Sequence, residues 1–283
     1  KGTRGPIIDP VTGEKKPAGP LANQLTPANQ HNIDKGYWPQ YFVGVFPNCF
    51  RITEAAGHEM GQAPGTHWYH GHRQRARAPS IDSGLVVAYI IEGQYDKDLA
   101  AIPNLNLKTT EKVLVSQQFT DQPDLERPAA RGKTLVTNGS LVKAAKVATD
   151  IQTAPTITMQ PGEIQLWRIV NAQGQPTMTA AFTEPSKITK VLPTFRQIAQ
   201  DGVQFNLANY NAQPLTKPVA VDPGDGKNNG TTFTLAPGGR IDILVQAPLL
   251  PAGSKSGFYQ LNGIVNLTVT GDPVQPAQKY PTD

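Results

Sequence analysis

Residues 64–93 read "PGTHWYHGHRQRARAPSIDSGLVVAYIIEG", and three of the chain's five histidines, His67, His70 and His72, fall at the start of this stretch. The segment divides into two short apolar-aromatic runs separated by a polar connection, the pattern of paired β-strands. In a strand, side chains alternate faces at about 3.3 Å per residue, so His70 and His72 share a face about 6.6 Å apart. His67 has the opposite parity and faces away, with Trp68 and Tyr69 packing the flanks. Two imidazoles at that spacing can ligate one metal ion or two neighbouring ones. They can equally form a hydrogen-bonded pair on a polar strand face, and the spacing alone leaves both readings open.

The same strand signal recurs outward along the chain: "KVLVSQQF", "TITMQPGEIQLWRIVNA", "FRQIAQDGVQF", "GRIDILVQAP" and "GIVNLTVTG", each short and bounded by Gly, Pro, Asn or Asp. Glycine and proline number 26 each in 283 residues, so turns are frequent. No helical apolar periodicity is sustained over three turns. The expected class is all-β, with antiparallel sandwiches. The formal charge of +4 is spread along the chain, too modest for a nucleic-acid footprint. No apolar run approaches the ~18 residues of a membrane-spanning helix, so no membrane span is expected. Cys49 is the single cysteine, which excludes an intrachain disulfide and a cysteine-based zinc site and reads as a small buried residue. Asn138, Asn229 and Asn266 stand in glycosylation sequons. The chain opens without Met and without a leader pattern, as a processed or excised chain does.

Residues 1–36 are polar and rich in Pro, Gly and Asn and read as an extended arm. Residues 37–93 are strand-like, 94–112 read as a linker, 113–271 carry a full set of strand signals, and 272–283 read as a Pro-rich exit. The 37–93 unit has room for about four strands, where a closed sandwich of the immunoglobulin kind needs about seven. Its first domain is therefore expected to be incomplete, with an apolar face that something must cover.

The frame around the histidines resembles a known family. "APGTHWYHGH" followed by "SGLVVAYIIEG" is similar to the second histidine motif of bacterial-type, three-domain multicopper oxidases, the laccase-like family. "QYFVGVFPNCFRI" also looks like bacterial members. "LVTNGS", "MQPGEIQLWRIVNA", "IAQDGVQF" and "LAPGGRIDILVQAP" look like successive strands of that family's second cupredoxin domain. The resemblance implies cupredoxin-like Greek-key sandwiches, with 37–93 the end of domain one and 113–271 domain two. It implies copper as cofactor, His70 and His72 as ligands of paired type 3 coppers, and an extracytoplasmic (periplasmic or secreted) location. It implies one-electron oxidation of phenol-type or metal donors coupled to reduction of dioxygen to water.

The chain also departs from that pattern. His31 and His58 have no partner two residues away, so the family's first motif is not found. The His-Cys-His of the type 1 copper is absent, and Gln74 stands where bacterial relatives often carry another histidine. Arg73, Arg75 and Arg77 follow and read as a solvated edge. "DPGDGKNNG" (222–230) lacks the closing Glu of a calcium loop, and "APGG" (236–239) reads as a turn because no helix follows. The expectation is a partial chain, inactive alone, that needs a third cupredoxin domain or another chain. The alternative is a degenerate, non-enzymatic cupredoxin module with weak or no copper binding.

Overall fold

The computed structural model describes residues 7–8, 15–16, 52, 62–72, 77–102, 104–120, 133–143, 151–174, 177–187, 189–204 and 232–280. The chain divides into two compact units, Lys1–Gln62 and Ala63–Asp283. In the first, β1 (Ile7–Ile8) pairs antiparallel with β2 (Lys15–Lys16). Most of residues 37–62, where further strands are expected, lies outside the described residues, as do Cys49, His31 and His58.

The second unit begins with an antiparallel hairpin, β3 (Gly65–His70) on β4 (Val86–Ile91), with helix α1 (Arg77–Asp82) between them. Helices α2 (Gln94–Ala101) and α3 (Leu107–Thr110) follow. The remaining strands are β5 (Lys112–Thr120), β6 (Lys133–Thr137), β7 (Ser140–Val142), β8 (Thr156–Met159), β9 (Ile164–Asn171), β10 (Met178–Thr183), β11 (Thr194–Gln200), β12 (Val203–Gln204), β13 (Thr232–Leu235), β14 (Arg240–Gln246), β15 (Ser256–Leu261) and β16 (Val265–Thr270). They form a five-stranded sheet, β13-β10-β15-β16-β8, and a seven-stranded sheet, β12-β11-β14-β9-β5-β6-β7. Among the described residues, six of the ten pairings in these two sheets join strands that are not consecutive in sequence. β5 lies parallel to β9 and β8 parallel to β16, while the other pairings are antiparallel. The all-β, cupredoxin-like sandwich expected from the sequence is what forms.

The two sheets differ in how many faces they bury, and the residues show why. β8 "TITM" and β13 "TFTL" alternate exposed Thr with buried apolar residues, because one side of their sheet meets water. β9 "IQLWRIVN" is buried at every position. Trp167 and Ile169 enter the sandwich core with Phe182, Phe195, Ile243 and Tyr259. Ile164 and Leu166 point the opposite way and join Tyr95, Leu99, Leu105 and Leu107 from the α2–α3 segment. The seven-stranded sheet is thus a middle layer, with the helices and the β3–β4 hairpin lying over its outer side.

The described residues of 94–112, a stretch read from sequence as a linker, are therefore packed structure. Their buried apolar residues are too sparse and too interrupted to show a helical period, and the helices are short. Helix α2 starts where the Asp96 carboxylate accepts the Gly93 N–H at 2.7 Å. The tail read as an exit also lies on the sandwich: Gln278 accepts the Ile164 N–H at 2.6 Å, and the Tyr280 hydroxyl hydrogen-bonds Thr194 at 2.8 Å.

Two of the sequons serve the sandwich. Asn138 begins the Asn-Gly turn joining β6 to β7, with φ +49° at Asn138 and +78° at Gly139. Its side chain accepts the Val115 N–H at 2.8 Å and donates to Val113 O at 2.8 Å, extending the ladder of β5 by one rung. Asn266 is buried and donates to Gln152 O at 3.2 Å. Asn229 lies outside the described residues.

Candidate metal site

Strand β3 sorts its side chains by parity. Trp68 and His70 lie on one side with ring centroids 4.6 Å apart, and His72, just past the strand's end, continues the row with its ring 5.8 Å from that of His70. His72 is exposed and His70 half-buried. The Nδ1 of His70 lies 3.0 Å from Gly71 O. A carbonyl oxygen only accepts, so Nδ1 carries the hydrogen and the Nε2 lone pair is left free for a metal.

His67 faces the other way and is 7% exposed. Its Nε2–H donates to Ala63 O at 2.8 Å, and its ring stacks on Tyr89 at 5.4 Å between centroids. The ring also presses on Gly202, where a Cβ would stand 2.5 Å from its Cε1. Gly202 has φ +79°, a conformation glycine adopts without strain. His67 is thus engaged in packing on every side that the contacts describe.

The hairpin is anchored to the middle sheet by polar groups that the sequence reading did not single out. Arg240 donates through Nε to Thr66 O at 3.1 Å, through Nη1 to Gly238 O at 2.9 Å and through Nη2 to Asp201 O at 2.6 Å. Thr66 Oγ1 donates to the Asp242 carboxylate. Beneath them Arg168, 2% exposed, binds Asp242 at 2.8 Å, Asp96 at 2.7 Å and the Glu111 carboxylate. Asp96 also accepts from Gln204 at 2.8 Å. One guanidinium thereby joins β9, β14, α2 and the entry to β5.

Burial disfavours the charged guanidinium of Arg168, but Asp242 together with Asp96 and Glu111 outweighs it, so its pKa is raised. Burial raises the Asp242 carboxyl above its ordinary value against the pull of Arg168 and Thr66. The signal in the sequence was a charged residue inside each of two otherwise apolar runs, "LWRIV" and "IDILV", which the antiparallel register sets side by side as Arg168 and Asp242.

The sequence-predicted ligands His70 and His72 come together. Among the described residues, no group of three or more His, Cys, Asp or Glu is placed to hold a metal. Two imidazoles suit copper, and they fill only part of its coordination sphere. Arg77 opens helix α1 and is exposed, so β3 has ended and strand parity does not carry to it. Arg73 and Arg75 lie outside the described residues, as does the 222–230 loop. Residues 236–239 form the turn between β13 and β14, with Gly239 N–H donating to Ala236 O at 2.8 Å. No described helix is long and apolar enough to cross a membrane.

No family model matches the chain, and no curated protein matches it. Among solved structures it is similar to the McoA multicopper oxidase of the hyperthermophile Aquifex aeolicus, at 18% identity over 78% of this chain and 44% of that one, with a TM-score of 0.50. The 2F4 variant of McoA aligns at 18% identity with a TM-score of 0.51, over the same shares of the two chains. A laccase from Pediococcus acidilactici aligns at 17% identity over 78% of this chain and 42% of that one, with a TM-score of 0.48. At these identities the likeness is one of fold, and the chain spans less than half the length of those proteins.

Proposed function

We propose that the chain is part of a laccase-like multicopper oxidase, holding the end of one cupredoxin domain and the whole of the next. His70 and His72 would supply two imidazole ligands to a copper centre, and a third cupredoxin domain or another chain would supply the rest. Copper held by these residues would supply one-electron redox chemistry for reducing dioxygen to water, with the electrons drawn from a phenol-type or metal donor oxidised elsewhere in the complete enzyme. The chain's own residues hold and aim the ligands: the Gly71 carbonyl keeps the hydrogen of His70 on Nδ1, and the Arg240 and Thr66 bonds fix β3 on the middle sheet. A location outside the cytoplasm rests on the family resemblance.

The observation that carries this reading is the row Trp68–His70–His72 on one side of β3. A copper-binding comparison tests it. Each of His67, His70 and His72 is replaced by Ala, and bound copper is measured after dialysis. Copper is expected to be lost with His70→Ala and His72→Ala and kept with His67→Ala. Loss with His67→Ala and retention with His72→Ala would reverse the assignment.

A second reading, a non-enzymatic cupredoxin module, is favoured by the lack of a third clustered ligand among the described residues. The isolated chain is expected to be colourless with copper and inert towards phenols under either reading. Dioxygen uptake with a phenol by the complete gene product, absent from this chain alone, separates the oxidase from the module.

A further inference from the structure

We infer that Gly238 and Trp68 are positioning residues for the metal site, so that the β13–β14 turn of the sandwich sets the orientation of the His70 imidazole. The inference rests on the reading of His70 and His72 as metal ligands. The turn is rigid: Gly238 N–H donates to Asn171 O at 2.8 Å, and its carbonyl accepts from Arg240 at 2.9 Å. The same guanidinium holds Thr66 O of β3 at 3.1 Å, so turn and strand are tied through one side chain. Gly238, at φ +79°, presents a bare backbone to the indole of Trp68, where a Cβ would stand 3.1 Å from Cζ2. The same indole meets His70, with ring centroids 4.6 Å apart.

Trp68 thus touches both the turn and the ligand. A shift of the indole at the turn is therefore passed to the His70 ring it touches. The support comes from the sandwich, while the ligands stand on the hairpin. A second-sphere contact that orients a ligand typically changes metal affinity by about 10-fold to 100-fold when lost.

The test uses Gly238→Ala, Trp68→Ala and the double variant Gly238→Ala/Trp68→Phe in the whole chain, with copper(II) as the only titrant. Phe lacks the benzo ring that carries Cζ2, so the double variant removes the clash and keeps the backbone strain at position 238. Gly238→Ala is expected to weaken copper binding about 10-fold, and the double variant to recover most of that loss. Without copper, the ring-proton NMR signals of His70 are expected to move in Gly238→Ala while those of His67, packed on Gly202, stay in place. Unchanged copper affinity and unmoved His70 signals in Gly238→Ala overturn the inference, as does a loss that the double variant fails to recover. If the His67 signals move as well, the fold itself has changed, and Trp68→Ala then decides. It removes the support with the turn intact, and an unaltered copper affinity there refutes the role. His70→Ala in the unmodified background is the separate control. If it leaves copper binding unchanged, the metal reading falls, while the His70 signals still report whether the turn acts through Trp68.

Discussion

At the scale of single residues, the polar groups buried beneath the hairpin govern the response to substitution and pH. Arg168 balances three carboxylates. Replacing it by Met leaves Asp242 buried without its cation, and breaking such a network from one side costs about 3–5 kcal/mol. Burial then acts on Asp242 against the Thr66 hydroxyl alone and drives it to take up a proton. The loss of stability in Arg168→Met is therefore expected to be smaller at about pH 5 than at about pH 8; urea unfolding at the two pH values measures it. Tyr280 titrates at the other end of the scale. Burial pushes its phenol up to about 12, partly offset by the Thr194 hydroxyl and by Arg196, whose guanidinium lies 4.6 Å from the ring centre. An acid with a raised folded pKa holds its proton more tightly when folded, so its contribution to stability is present below about pH 10 and lost as pH rises through 12. Burial also raises the Tyr259 phenol, so ultraviolet titration should show a late-ionising component that shrinks, without vanishing, in Tyr280→Phe.

At the scale of elements, what was legible in the sequence follows from which faces meet water. Strands β8 and β13 of the five-stranded sheet alternate cleanly, and "TITM" and "TFTL" carry that pattern in their sequence. The middle-sheet strands are covered on both sides, so "IQLWRIVN" reads as a strand but hides what covers its second face. That cover is α2, α3 and the hairpin, and α2 and α3 come from the stretch that reads as a linker. His70 and His72 could be placed together from parity and a resembling frame, whereas their support could not. Gly238 and Arg240 lie far from them along the chain, and the tie to Trp68 and Thr66 exists only once hairpin and sandwich meet. Asn138 was legible as a turn residue but not as a rung of the ladder. Asn138→Ala removes two hydrogen bonds and a residue suited to φ > 0, and is expected to cost about 2 kcal/mol in denaturant unfolding.

At the scale of the whole molecule, Ala63–Asp283 behaves as one packed body in which hairpin, helices and sandwich share the middle sheet. Limited proteolysis is expected to leave the hairpin attached to the sandwich, with no early cut within 94–101 or 107–110. An early cut there, releasing a stable fragment that starts near Val113, would show that the helices are not held by the sheet. The middle layer carries a further consequence, for the timing of solvent entry. The buried stretches of β9 and β14 are sealed by the second sheet on one side and by the helices and hairpin on the other. Their amide hydrogens cannot be reached by local fraying of a single layer. In deuterated water the amides of Leu166–Ile169 and Ile241–Val245 should therefore be the last to exchange, at the rate at which the whole body opens, well after those of the one-sided strand β13.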